Sequence, residues 1–150
     1  MLEQARRIDG RVRAGTAGRL AGAVITVKDN LEVAGLHATA GLARFKDNLA
    51  EKDCNAVAKL RAADALILGK TNLSEFANFR STSSSSGWSG RGGKCVNPYQ
   101  LDRSPSGSSS GSGVAVSASL AAGTLGTETD GSIVSPANAS GVVGFEPTVG

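Results

Sequence analysis

The sequence predicts an α/β fold, in which helices lie on the faces of a β-sheet. Two short hydrophobic stretches, 21–28 and 65–69, have the aliphatic content and the length of buried strands. A helical pattern lies between them, and a helix start signal follows the second stretch. The order strand, helix, strand, helix is typical of α/β proteins and therefore indicates a sheet covered by helices.

The first strand is predicted within "AGAVITVKDN", residues 21–30. Val24, Ile25 and Val27 supply the β-branched residues, and the polar residues that follow mark the end of the strand at Lys28. We therefore expect a lysine at the carboxyl end of a buried strand.

The helix "DCNAVAKLRAADA" is predicted to begin after Asp53, whose carboxylate is suited to an N-cap. Val57 and Leu60 then lie on one face of this helix. Asp64 occupies the position where such helices usually end in glycine, and an aspartate adopts the left-handed conformation only at some cost. The second strand, "ALILG" at 65–69, follows directly.

Two more helices and a strand are predicted further along the chain. Asn72 and Glu75 have the spacing of a capping box, which indicates that "NLSEFANF" opens a short helix. The segment "SGVAVSASLAA" is predicted to be a helix of small residues, whose backbone can approach neighbouring elements closely. Gly123 is expected to end this helix, and "TLGT" is expected to form a short buried strand.

A long polar stretch, residues 80–110, separates these elements and is rich in serine, glycine and proline. Loops of this length in a compact domain are usually functional or disordered. The stretch carries the only tryptophan, Trp88, and the only tyrosine, Tyr99, of the chain. Disordered segments seldom contain such residues, so we expect the stretch to be ordered.

The composition is that of one globular domain, or part of one, with 150 residues, 40% hydrophobic and 19% charged. The net charge of +3 comes from scattered lysines and arginines, which does not favour direct nucleic-acid binding. Residues 104–127 carry no charge but are too polar for a membrane span, and no targeting segment opens the chain. We therefore expect a soluble, cytoplasmic protein with no membrane partner.

The cysteines and the histidine are few. Cys54 and Cys95 match no CxxC or zinc spacing, which favours free thiols in a reducing compartment. His37 is the only histidine, so a Ser-His-Asp triad would have to use it. The surrounding "GLHATAGL" instead favours a loop or core histidine.

Two candidate chemistries are weak. The stretch "LGKTNLS" resembles the end of a phosphate-binding P-loop, but that motif needs a glycine five positions before Gly69, where this chain has Asp64. Lys70 is therefore expected to be structural or exposed to solvent. A serine hydrolase built on His37 lacks a G-x-S-x-G nucleophile elbow between a strand and a helix.

A third chemistry uses Lys28, one of the serines near 108, and Ser132 after "TETDG". A neutral lysine can accept a serine proton where no histidine is available. Lowering a lysine pKa from ~10.4 to roughly 7 or 8 costs about 3 to 5 kcal/mol, which burial can supply. The turn before Ser132 can also present backbone N–H groups to an oxyanion.

At these residues the sequence resembles the amidase signature family, the Ser-Ser-Lys hydrolases. The resemblance is carried by "GAVITVKDN", "LGKTNLSEFA", "SPSGSSSGSGVAVSASLA" and "LGTETDGSIVSPANASGVVGFEPTVG", in this order. The blocks "NLSEFANFRS", "GWSGRGG", "NPY" and "TETDGSIVSP" are similar to those of bacterial peptide amidases. The pattern departs from the family at Glu146, where a lysine is usual, and at Ala23, where a proline or a bulkier residue is common.

The resemblance implies an α/β fold with a mixed, largely parallel central sheet covered by helices on both faces. Residues 1–150 would form a partial amidase signature domain that continues beyond residue 150 in a full-length protein. Lys28 would be the base, Ser108 the bridging serine and Ser132 the nucleophile. The 24 positions between the two serines fit the family and select Ser108 over its neighbours. The implied oxyanion donors are the backbone N–H groups of Thr129, Asp130, Gly131 and Ser132.

The implied activity is hydrolysis of a carboxamide C–N bond to a carboxylate and ammonia or an amine, through an acyl-serine intermediate. The substrate would be a small amide or a peptide with a C-terminal amide, and no metal or organic cofactor would take part. Two alternatives stay open. The chain could be an inactive or partner-completed fragment, or the amidase subunit of a glutamine-dependent tRNA amidotransferase. A domain ending at residue 150 would expose a sheet edge and an apolar face, which predicts marginal stability.

Overall fold

The computed structural model describes residues 1–148. It contains four α-helices, five strands and two 3-10 helices within that range. In chain order the helices and strands are α1 (Leu2–Arg13), β1 (Val24–Lys28), α2 (Asn55–Ala62), β2 (Leu66–Thr71), β3 (Trp88–Ser89), β4 (Gly93–Lys94), α3 (Ser110–Ser117), β5 (Gly123–Leu125) and α4 (Val134–Ala139). The 3-10 helices are Ala43–Phe45 and Glu75–Asn78.

The central sheet has the strand order β2-β1-β5, and both pairings are parallel. Lys28 is in register with Thr71, so both strands end at the same edge of the sheet. Parallel strands need crossover connections, and α2 and α3 lie in those connections and pack on the sheet. The predicted α/β class and its parallel central sheet are confirmed.

The hydrophobic core lies between the sheet and α2. Val27, Val33, Val57 and Ile67 are its buried members. Burial of side chains of this size stabilises a fold by roughly 1.5 to 3 kcal/mol each, so this small cluster supplies much of the packing energy beneath β1. The core therefore holds β1 rigidly up to the lysine at its end.

Helix α3 packs unusually closely on its neighbours because its residues are small. A Cβ on Gly113 would lie 2.9 Å from the carbonyl oxygen of Pro136 in α4, and a Cβ on Gly111 would lie 2.6 Å from that of Asn72. Ser112 donates to the carbonyl of Leu125 in β5 at 3.2 Å. The small residues of α3 therefore let its backbone approach its neighbours closely, as predicted. These contacts place the start of α3 near the sheet edge at which β1 ends.

The start of α2 differs from the prediction by one residue. Cys54 is the N-cap and Asp53 is not. The Asp53 carboxylate instead accepts the Ala34 N–H at 2.8 Å and pairs with Arg61 at 2.8 Å. The side chain therefore ties α2 to the preceding loop and does not cap the helix.

Asp64 has the left-handed backbone conformation that its position predicts, with φ of 66°. Its side chain is fully buried and accepts hydrogen bonds from the Arg11 guanidinium at 2.9 Å and from the Gly18 N–H at 2.6 Å. These charge-assisted bonds offset the backbone cost and explain why an aspartate stands where glycine is usual.

The predicted capping box at Asn72 and Glu75 is wrong. The short helix is a 3-10 helix, Glu75–Asn78, and its N-cap residue makes no side-chain cap hydrogen bond. Asn72 donates to the Gly93 carbonyl at 3.1 Å, and the Glu75 carboxylate accepts the Gly90 N–H at 2.8 Å. Both side chains bind the polar stretch that follows, so tertiary contacts replace the local cap.

That polar stretch contains an antiparallel hairpin of β3 and β4. Ser89 is buried within it, whereas Trp88 and Tyr99 are exposed. The expectation of ordered structure at these residues agrees with the hairpin. No helix within residues 1–148 combines the length and the hydropathy that crossing a bilayer requires.

The end of helix α3 was predicted incorrectly, and helix α1 was not predicted. Helix α3 ends at Ser117, and Gly123 begins β5, because Ser119 with φ of 58° already leaves the helical conformation. Helix α1 was not predicted, although Ile8 and Val12 have the i, i+4 spacing of one helix face.

Strand β5 is an edge of the sheet within the described part of the chain. Beside it lies an apolar groove of about 830 Å³, whose lining includes Val116, Leu125, Ile133 and Phe145. The expected open edge and apolar face are therefore present in residues 1–148. The marginal stability that they imply stays a prediction.

Candidate active site

Lys28 ends β1 with its side chain fully buried. Its Nζ donates to Ser108 Oγ at 2.7 Å, to Thr127 Oγ1 at 2.8 Å and to the Thr127 carbonyl at 3.1 Å. A lysine ammonium has three N–H donors, so these three contacts satisfy the charged form completely. The geometry fixes the amine against one particular serine hydroxyl.

Burial lowers the pKa of Lys28 from 10.5 to about 8, and the negative charge of Glu128 partly opposes this shift. The difference corresponds to about 3 kcal/mol in favour of the neutral amine. A lysine with this pKa is neutral in about one tenth of molecules at pH 7, far more than a lysine with the ordinary pKa of 10.5. Lys28 can therefore accept a proton from a neighbouring hydroxyl.

Ser108 lies just before α3 and is only 1% exposed. Its carbonyl accepts the Ser74 N–H at 3.0 Å, and the peptide bond between Gly107 and Ser108 is cis. A side chain at position 107 would collide with Ser74 Oγ, so the glycine is required by the close approach of the two segments. These contacts hold the Ser108 hydroxyl beside Lys28.

Ser132 lies in the loop between β5 and α4 and is partly exposed. Its carbonyl accepts the Ser109 N–H at 3.1 Å, which joins this loop to the start of α3. Gly131 has φ of 74°, a left-handed conformation that glycine adopts without strain. Among residues 1–148, no hydrogen bond joins the hydroxyls of Ser132 and Ser108. The structure thus links Lys28 directly to Ser108, and links Ser132 to the same region through its backbone.

The four predicted oxyanion donors are not equivalent. The Gly131 N–H already donates to Glu128 Oε1 at 2.8 Å. Thr129 and Asp130 lie in an exposed part of the same loop. The oxyanion site of residues 129–132 and the roles of the three catalytic side chains stay predictions.

Thr127 and Glu128 are functional candidates that the sequence reasoning missed. Thr127 provides two acceptors for Lys28, and its hydroxyl also accepts from Asn30 at 2.9 Å. The signal was available in "LGTETDGS", because a buried ammonium needs polar acceptors, and Thr127 ends the predicted last strand with Glu128 directly after it. The contact of Thr127 with Lys28 could not be read from the sequence, since it joins positions 99 residues apart.

Lys70 has a structural role, as expected from the absence of the first P-loop glycine. Its Nζ donates to the carbonyls of Leu31 at 2.6 Å and His37 at 3.0 Å, and it pairs with Asp29 at 3.3 Å. Burial lowers the pKa of Lys70, and the Asp29 carboxylate opposes this shift. The ammonium therefore fastens a loop and is not directed at a phosphate.

In the described residues, neither His37 nor the two cysteines form a hydrogen bond with Lys28, whose partners are Ser108 and Thr127. His37 lies in a loop and forms an isolated bridge with Leu49. Cys54 and Cys95 are free thiols. In the described range, 1–148, no group of three or more histidine, cysteine, aspartate or glutamate residues is arranged to bind a metal ion.

Comparison with known proteins shows close similarity over the whole chain. The family model described as Amidase matches residues 1–150. The crystal structure of native peptide amidase from Stenotrophomonas maltophilia superposes with a TM-score of 0.94 at 50% sequence identity, covering 98% of this chain and 30% of that protein. An amidase family protein from Bacillus anthracis gives a TM-score of 0.86 at 42% identity, covering 90% of this chain and 27% of that protein.

Curated relatives include both simple amidases and amidotransferase subunits. A probable amidase of Arabidopsis thaliana is 48% identical over 87% of this chain and 26% of its own length. A glutamyl-tRNA(Gln) amidotransferase subunit from Symbiobacterium thermophilum is 44% identical over 100% of this chain and 30% of its own length. The chain thus spans less than a third of the relatives it matches. Because the family model covers every residue and the backbone superposes closely on a solved amidase, the chain belongs to the amidase family.

Proposed function

We propose that the natural protein containing this chain hydrolyses the C–N bond of a carboxamide through an acyl-enzyme on Ser132. The observation that carries the proposal is the buried Lys28 amine, with its lowered pKa, at 2.7 Å from the Ser108 hydroxyl. This pair can remove a proton from a nucleophile without a histidine.

In the first step, neutral Lys28 accepts the Ser108 proton while Ser108 accepts the proton of Ser132. The Ser132 oxygen forms a bond to the amide carbon, and the carbonyl π electrons move to oxygen to give a tetrahedral oxyanion. The backbone N–H groups of Thr129, Asp130 and Ser132 stabilise this charge in the proposal, because the Gly131 N–H donates to Glu128. Loss of one donor of this kind typically costs about 3 to 4 kcal/mol of transition-state stabilisation.

In the second step, the carbonyl reforms and the C–N bond breaks. The proton held by Lys28 passes through Ser108 to the leaving nitrogen, which departs as ammonia or an amine. Water then attacks the acyl-serine ester, giving its proton to the same relay. Collapse of the second tetrahedral intermediate releases the acid and returns the proton to Ser132.

The contacts of Lys28 suit both directions of proton movement. Protonated Lys28 donates to Ser108 Oγ, Thr127 Oγ1 and the Thr127 carbonyl. When Lys28 is neutral, its lone pair needs a donor, and only the two hydroxyls can reverse their bonds to supply one. Ser108 can therefore donate to the neutral base over the same short distance.

The proposed substrate is a peptide with a C-terminal amide, or a small amide. It is supported by the 50% identity to the Stenotrophomonas maltophilia peptide amidase and by the blocks "NLSEFANFRS" and "TETDGSIVSP". A second candidate is the amidase subunit of a tRNA amidotransferase, favoured by 44% identity over the full chain to such a protein. That role would require partner subunits and glutamine as the amide donor.

The test is release of ammonia from an amidated dipeptide by the protein expressed from its natural reading frame. Ser132→Ala and Lys28→Ala are expected to abolish release, whereas the exposed matched controls Ser85→Ala and Lys46→Ala are expected to keep it. Equal activity in all variants would rule out the mechanism. Activity seen only with glutamine and added partner subunits would support the amidotransferase role.

A further inference from the structure

The Glu128 carboxylate holds the backbone on both sides of Ser132. Its Oε1 accepts the Gly131 N–H at 2.8 Å, one residue before Ser132. Its Oε2 accepts the Ile133 N–H and, at 2.9 Å, the Val134 N–H, which are the next two residues after Ser132. A single side chain thus fixes three N–H groups around the proposed nucleophile.

In the described residues, no other side chain supplies these acceptors. Helix α4 has Ile133 at its N-cap position, which offers no side-chain oxygen, so Glu128 supplies the acceptor for the first N–H groups of the helix. Hydrogen bonds to a carboxylate are stronger than those between neutral groups. They also lower the pKa of Glu128, with the Val134 N–H as the largest cause, so the side chain is charged at neutral pH.

The acceptor pattern requires a carboxylate. Both oxygens of Glu128 receive N–H groups. A glutamine side chain has one oxygen and one NH₂ group in place of the two carboxylate oxygens. Its NH₂ group would point N–H donors at a backbone N–H donor, so that hydrogen bond would be lost. An aspartate keeps both oxygens but is shorter by one methylene. The two substitutions therefore separate the charge of the side chain from its reach.

Two titratable side chains lie near Glu128 from other parts of the structure. Lys28 at the end of β1 feels its negative charge, which raises the pKa of Lys28 against the effect of burial. The side chain of Glu146, from the segment after α4, lies close enough to the Glu128 carboxyl to influence its pKa. Any change at position 128 thus alters the electrostatic environment of the proposed base as well as the loop.

We propose that Glu128 positions the nucleophile Ser132, by fixing the backbone before and after it through three N–H bonds. This inference rests on the proposed function. Glu128 does not contact the reacting atoms, so it is a positioning residue. Displacement of a reacting group by about 1 Å can cost on the order of 100-fold in rate, which sets the scale of the expected effect.

The experiment compares Glu128→Gln, Glu128→Asp and the exposed control Glu51→Gln in the protein expressed from its natural reading frame. It measures kcat and KM for an amidated dipeptide, and the pH dependence of kcat/KM. It also measures the rate at which a fluorophosphonate labels Ser132, where the serine oxygen bonds to phosphorus, fluoride leaves and the serine proton passes to the base. Folding is monitored by thermal melting.

Glu128→Gln is expected to lower kcat and the labelling rate by on the order of 100-fold, with KM changed by less than about 3-fold. Because the negative charge near Lys28 is lost, the acid limb of its kcat/KM profile is expected to move to lower pH. Glu128→Asp is expected to be slow as well, but with an acid limb at the wild-type position. Glu51→Gln is expected to match the wild type.

A Glu128→Gln rate within about 2-fold of wild type would overturn the inference. If the glutamine variant does not fold, Glu128→Asp decides, and a wild-type rate in that variant would overturn the inference. A wild-type protein that neither labels at Ser132 nor releases ammonia would instead overturn the proposed function. The two failures are therefore distinguishable.

Discussion

The lowered pKa of Lys28 predicts a specific pH dependence of amide hydrolysis. With a pKa of about 8, the neutral base makes up about one tenth of molecules at pH 7 and about one hundredth at pH 6. We therefore expect kcat/KM to fall about tenfold for each pH unit below 8 and to level off about one unit above it. The assay is ammonia release from an amidated dipeptide at substrate concentrations well below KM.

A substitution at Thr127 sharpens this test. Thr127→Val removes the Oγ1 acceptor at 2.8 Å, which stabilises the charged form of Lys28. The pKa of Lys28 then falls further, and the acid limb of the profile is expected to move to lower pH. The exposed control Thr82→Val is expected to leave the profile unchanged.

Three results would refute the reasoning. An acid limb that disappears in His37→Ala would identify His37 as the base in place of Lys28. A limb near pH 10.5 would mean that Lys28 keeps its ordinary pKa and that burial does not activate it. A kcat/KM that does not change between about pH 6 and 8 would show that Lys28 is not the base.

Three further substitutions test the site and the fold. Ser108→Ala is expected to lower kcat by about 10² to 10⁴-fold, because it removes the proton relay to Lys28, and steady-state kinetics with unchanged thermal melting would check this. Val57→Ala is expected to lower the free energy of unfolding by about 2 kcal/mol, because it removes packing from the core. The control Val143→Ala, at a side chain that is 94% exposed, is expected to lower it by less than about 0.5 kcal/mol. Urea denaturation measures both values. Asp64→Asn is expected to lower the free energy of unfolding by about 2 kcal/mol, because it weakens the buried hydrogen bonds from Arg11 and Gly18. The exposed control Asp47→Asn is expected to leave it unchanged. Equal values for the two variants would contradict the role of Asp64.

The strands of the fold could be predicted from the sequence because their signals are local. The β-branched residues of β1 end at Lys28 in both the prediction and the structure. The left-handed position of Asp64 followed from helix-ending rules. The capping box at Asn72 failed because residues from the later hairpin bind both of its side chains, and local spacing contains no information on such contacts.

The candidate site was predictable in part for the same reason. A lysine at the carboxyl end of a buried strand is a local feature, and the structure places it against Ser108, the serine that the family spacing selects. Thr127 escaped the sequence reasoning because its bond to Lys28 depends on β5 lying beside β1. Glu128 escaped it because its partners depend on the conformation of the turn that leads into α4. The hydrogen bond from the Gly131 N–H to Glu128 could not be predicted from the sequence either, because it depends on the conformation of the turn.

The most direct test of the proposed mechanism is to find the serine that carries the acyl group. The protein would be mixed with an activated ester of an amino acid, quenched in acid within the first turnover and digested for mass spectrometry. Because Lys28 and Ser108 form a relay and Ser132 is the proposed nucleophile, the acyl mass is expected on Ser132 alone and is expected to be absent in Lys28→Ala. An acyl group on Ser108, or rapid hydrolysis with no acyl-serine at all, would contradict the account.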